Sequence, residues 1–117
     1  MSSKIHEYFD GNNNHYILDF EKKLTIEYIP VKPINSSSGI YNGGEYVKKE
    51  INKDLYDHII SSLHNLIRKK EIHIKDRIKM SEMIIIEKKG KRKQYILDPY
   101  SAEKVNIEKE LKKLIEI

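Results

Sequence analysis

Asn52-Lys53-Asp54-Leu55-Tyr56-Asp57-His58-Ile59-Ile60-Ser61-Ser62-Leu63-His64-Asn65-Leu66-Ile67-Arg68-Lys69-Lys70 is the stretch around which the fold is organised. At 100° per residue, Leu55, Tyr56, Ile59, Ile60, Leu63, Leu66 and Ile67 fall within one arc of roughly 140°. Asp57, Ser61, Asn65 and Arg68 fall on the far side. The pattern predicts an amphipathic helix with Asn52 as N-cap, its side-chain oxygen accepting an otherwise unpaired backbone N–H. Acids near the start and Arg68, Lys69 and Lys70 at the end suit the helix dipole. A helix with so broad an apolar face must bury it against a sheet or another helix.

Upstream the period changes to two. Ile5 to Phe9 alternates weakly and reads as a short strand. Asp10-Gly11-Asn12-Asn13-Asn14 is a turn, because Gly and Asn tolerate positive φ. Tyr16, Leu18 and Phe20 then share one face of a strand. Leu24, Ile26 and Tyr28 share one face of the next, with Thr25 and Glu27 outward. This is an antiparallel meander with one solvated face, ended by Pro30 and Pro33. Residues 34–49 read as loop.

Downstream of the helix, Ile72-His73-Ile74 reads as an extended connection. Met83-Ile84-Ile85-Ile86 is a continuous apolar run, as in a buried strand. Lys88-Lys89-Gly90-Lys91-Arg92-Lys93 reads as a hairpin tip, with Tyr95-Ile96-Leu97 returning. A second helix follows from about Ser101, with Ile107, Leu111, Leu114 and Ile115 on one stripe and Val105 off it. Tyr-Ile-Leu-Asp occurs at 16–19 and again at 95–98, too short a match to imply duplication. The expected fold is a single α+β domain over residues 1–117. One antiparallel sheet of four to five strands, in the order β-β-β-α-β-β-α, carries both helices on one face.

The absence of cysteine excludes disulfides and thiolate metal sites. Met1 to Asp10 holds no apolar run of signal-peptide length, and no segment approaches the roughly 20 apolar residues of a membrane span. A cytoplasmic protein that does not engage membranes is expected. The formal charge of +4 is uneven, since residues 68–93 hold eleven Lys and Arg against four acids. Such a region can attract nucleic acid or an acidic partner.

Asn35-Ser36-Ser37-Ser38-Gly39-Ile40-Tyr41-Asn42-Gly43-Gly44 is the least ordinary segment. Three of the five glycines lie here. Glycine admits close backbone approach, and successive N–H groups with serine hydroxyls make an anion-binding concavity. The segment lacks the Gly-Lys-Ser/Thr ending of a phosphate loop and does not run straight into the helix. Long loops in small domains are often functional. The principal functional expectation is therefore a non-catalytic binding module. Its loop 35–46 contacts a protein or small anionic ligand through Ser36, Ser37, Ser38, Gly39, Tyr41, Gly43 and Gly44, with His73 and Arg77 as further candidates. Ile40, Tyr41 and Tyr46 either anchor this loop or touch the partner.

The alternative is nucleic-acid binding through the 68–93 region, using Lys88, Lys89, Lys91, Arg92 and Lys93 on phosphates. No aromatic side chain interleaves that run, and no helix-turn-helix or RNP pattern occurs. A third reading is a small enzyme built on the serine loop, His73 and Arg77. No catalytic triad order, paired carboxylates or nucleophile elbow supports it. No cofactor is implied. Asp54 and His58 stand i,i+4 as an exposed pair, and no third ligand is spaced to complete a metal site.

Overall fold

A computed structural model describes residues 4–19, 23–32, 43–76, 81–88, 90–98 and 103–116. Its strands are β1 (Lys4–Phe9), β2 (His15–Asp19), β3 (Thr25–Ile29), β4 (Val47–Glu50), β5 (His73–Ile74), β6 (Glu82–Lys88) and β7 (Lys91–Leu97). They form one sheet in the order β4-β3-β2-β1-β6-β7-β5, antiparallel at every pairing. The helices are α1 (Lys53–Arg68) and α2 (Glu103–Glu116).

The α+β class, the antiparallel sheet and the two helices agree with the sequence. The strand count and order do not, since seven strands replace four to five and the described elements run β-β-β-β-α-β-β-β-α. β4 lies in the stretch read as loop, because Val47-Lys48-Lys49-Glu50 offers a single apolar residue. An edge strand is held by backbone hydrogen bonds to one neighbour and needs no apolar alternation. β5 is two residues long, too short to show a period. The charged hairpin is also longer than expected. Lys88 pairs with Lys91, so Lys91, Arg92 and Lys93 are strand residues and not part of the tip. Gly90 has φ +77°, a conformation glycine adopts without strain.

α1 follows its sequence. Asn52 Oδ1 accepts the Leu55 N–H at 2.8 Å, and Tyr56, Ile59, Leu63 and Leu66 are buried. Asp57, Ser61, Asn65 and Arg68 are exposed. On α2, Ile107, Leu111 and Leu114 are buried while Val105 is exposed. Both helices pack on the same sheet face, in one cluster with Tyr8, Tyr16, Leu18, Ile26, Tyr28, Ile84 and Leu97.

Alternation sets one tyrosine on each of three adjacent strands in a single row: Tyr8 faces Tyr16, and Tyr16 faces Tyr28. Their ring centroids are 6.3 and 4.7 Å apart, within the range of favourable tilted pairs. The Tyr8 hydroxyl donates to Glu108 Oε2 on α2 at 2.8 Å. One residue row away, His6 meets His64 of α1 with 3.3 Å between their Nε2 atoms. On the opposite sheet face Phe9 stacks on His15 at 4.1 Å, and Glu7 takes His15 at 2.7 Å and Arg92 at 3.3 Å.

Leu63→Ala should cost about 2–5 kcal/mol, as buried leucine truncations do. Asn65→Ala on the exposed side should cost under about 0.5 kcal/mol. Denaturant melts of the two variants check the helix register.

Stability should also fall in alkali. Burial, followed by the charges of Asp19 and Asp57, pushes the Tyr56 hydroxyl up to about 12. Burial first, and then Glu108, Glu82 and Asp10, holds the Tyr8 hydroxyl well above its ordinary range. An unfolded chain releases these protons near pH 10, whereas the folded chain retains them. Stability is therefore full below about pH 10 and declines as pH rises toward 12. Denaturant midpoints across pH 9–11.5 should drop, and Tyr56→Phe should flatten that drop.

Candidate functional site

The described end of the 34–49 segment is built against the first turn of the chain. In that turn the Asp10 carboxylate accepts the N–H groups of Asn12 and Asn14, each at 2.9 Å, and the Asn14 side-chain amide at 2.9 Å. Asn13 takes φ 69°, which asparagine tolerates better than most residues. Asp10 and Asn14 are both buried. Asn14 is thereby locked with its Oδ1 facing the end of β3, where it accepts the Val31 N–H at 2.8 Å.

Val31 in turn receives the other side of the loop. The Gly43 N–H donates to the Val31 carbonyl at 2.8 Å, so the two ends of the intervening segment meet. The Tyr28 hydroxyl donates to the Gly43 carbonyl, and Lys32 Nζ donates to the Gly44 carbonyl at 2.7 Å. Gly43 is obligatory for space, since a Cβ there would stand 2.1 Å from Asn14 Oδ1. Gly44 is required for conformation, with φ +106°. A buried turn, one backbone bond, a lysine amine and a tyrosine hydroxyl thus hold Val31 and Gly43 together at the neck of the segment between them.

Ser36, Ser37, Ser38, Gly39 and Tyr41, with Ile40, lie outside the described residues, as do Arg77 and Lys89. Tyr46 is described and does not anchor in the core. It is 53% exposed, and its hydroxyl donates to Glu27 on the face away from the helices.

The described candidates do not converge. β1 and β3 end at the neck, whereas the β6–β7 turn lies at the other end of the sheet, because Lys4 rather than Phe9 pairs with Lys88. Five residues of strand separate the two ends, about 17 Å. His73 shares the neck's end but sits on the opposite edge strand. Five strand spacings lie between β3 and β5, roughly 24 Å. His73 Nε2 is engaged with the Leu66 carbonyl at 2.9 Å, and its ring meets Tyr95.

The basic region is divided in the same way. Lys69 pairs with Glu103 and Arg68 with Asn65 beside the start of β5. Lys91, Arg92 and Lys93 are exposed near the far turn, with Arg92 reaching Glu7.

Two arrangements were not foreseen from sequence. His58 pairs with Glu110 of α2 at 2.9 Å rather than with Asp54. Between the helices, Ser62, Asn65, Asn106 and Glu110 line a shallow groove of about 250 Å³ floored by Leu66 and Ile107. Among the described residues no group of three His, Asp or Glu side chains is placed to hold a metal. No described helix is long and apolar enough to cross a membrane.

Gly43→Ala should expel the Asn14 carbonyl from its place and break its bond to Val31. Leaving such buried groups unpaired costs about 1–3 kcal/mol. Asn14→Ala should cost a similar amount, and the double variant less than the sum, because both act on one contact. Denaturant melts of the three variants measure that coupling. No protein-family model, curated protein or solved structure matches this chain.

Proposed function

We propose that this protein is a small non-catalytic binding module whose loop 35–46 contacts a protein or a small anionic ligand. The observation that carries the reading is the closed neck. Buried Asp10 and Asn14 hold Val31, and Val31 holds Gly43. Buried polar networks are costly to assemble unless every member is satisfied. This one does not serve the helix–sheet core; it fixes the point at which a polar segment leaves the sheet. A connection from β3 to an adjacent antiparallel β4 needs only a few residues, yet seventeen separate Ile29 from Val47. The excess length, rich in serine and glycine, supplies backbone N–H and hydroxyl donors on a fixed base. Lys32 adds a positive charge at that base.

Amide hydrogen exchange tests the reading. Protection should rise within 35–46 when the free protein is mixed with inorganic phosphate, a nucleoside diphosphate or a soluble cell extract. A rigid base lowers the ordering cost of contact, so Asn14→Ala should weaken that protection. Unchanged exchange across 35–46 in all three mixtures would reduce the segment to a connection.

A further inference from the structure

The second surface lies at the other edge of the sheet and is independent of the loop. β7 is seven residues long but β5 covers only its last two, pairing His73 with Leu97 and Ile74 with Ile96. From Lys91 to Tyr95, no strand lies along the outer side of β7 among the described residues. The hairpin register says which groups that side presents. The residues flanking a two-residue turn form a hydrogen-bonded pair. Lys91, Lys93 and Tyr95 therefore turn their backbone N–H and C=O toward β6. Arg92 and Gln94 turn theirs outward, in line with the Ile96 groups that serve β5.

We propose that this edge of β7 is a strand-addition site for an extended acidic peptide segment. An added strand would continue the line of β5, bonding to the outward N–H and C=O groups of Arg92 and Gln94, which no described strand covers. Its side chains on one face would oppose Lys91 and Lys93, and on the other Arg92 and Gln94, all four of them exposed. Opposite charges directly across a strand pair stabilise it, and like charges destabilise it. A second copy of this chain is therefore a poor occupant, since edge-to-edge pairing sets Lys91, Arg92 and Lys93 against their own counterparts. An acidic run of four or five residues meets each of the three with its complement. Arg92 already demonstrates the preference by reaching two strands across to Glu7.

The test uses the full chain and an acetylated peptide of consecutive glutamates flanked by threonines, about eight residues long so that it overruns residues 91–95 and presents carboxylates on both faces. Its lysine–threonine counterpart and a short oligothymidylate serve as comparators. The acidic peptide should bind at low salt, weaken as salt screens the charges, and slow amide exchange at Arg92 and Gln94 by about tenfold or more.

Gln94→Pro removes an N–H that faces away from β6, a position where an edge strand tolerates proline. It should abolish binding, whereas Gln94→Ala should retain it. Three results would each overturn the proposal: no acidic-peptide binding at low salt, which leaves the lysines as guards against edge pairing; binding without slowed exchange at Arg92 and Gln94, or equal binding by the Pro and Ala variants, which makes the contact one of surface charge; or protection of the edge by oligothymidylate alone. Should Gln94→Pro fail to fold, the exchange measured on the unaltered chain decides the matter.

Discussion

Burial of polar side chains on β1 is the constraint on which the architecture rests. β1 is the central strand, and two of its side chains facing the helices, His6 and Tyr8, are almost fully buried. Buried polar atoms need partners, and each of these finds one on a different helix. Tyr8 fixes α2 through Glu108, and His6 fixes α1 through His64. The apolar cluster gives the helices affinity for the sheet, but it is non-directional. The two polar contacts are directional, so they select one placement of each helix from the many an apolar face would accept.

The layout that follows separates the two proposed surfaces. The loop neck and the β6–β7 turn stand at opposite ends of the strands, and the neck and His73 at opposite edges. Each surface has its own support. The neck hangs on the Asp10–Asn14 turn and Tyr28, whereas β7 is held by its ladder to β6 and by the short clasp of β5. A ligand on one of the proposed surfaces would have no direct contact with the other.

How much of this was legible in the sequence varies with the physical basis of each element. α1 was readable because seven apolar residues share an arc that only a helix aligns. β2 and β3 were readable because Tyr16, Leu18, Ile26 and Tyr28 alternate. The edges were not, since Val47–Glu50 and His73–Ile74 are held by backbone bonds that leave no trace in side-chain pattern. The pairing of β1 with β6 was equally hidden, because a register between distant segments depends on their tertiary neighbours. At the candidate site the five-residue turn and the glycine doublet stood out separately. Nothing in either segment announces that Asn14 would meet Val31, or that Gly43 would close onto it. The partners of His6 and His58, fifty-eight and fifty-two residues away, were out of reach for the same reason.

The central position of β1 also governs the order in which the molecule can form. Its partners on one side lie next to it in the chain, but on the other side Phe9 pairs with Met83 and Lys4 with Lys88. Closing a loop of that length consumes chain entropy before the contact returns any stabilisation. On a ribosome, the N-terminal meander emerges with one edge of β1 open and waits for the last third of the chain to cover it. Until then that edge displays unpaired backbone groups beside a partly apolar surface, the condition under which nascent chains associate wrongly or recruit chaperones. β1 thus gains its second neighbour only once residues 82–88 have been made.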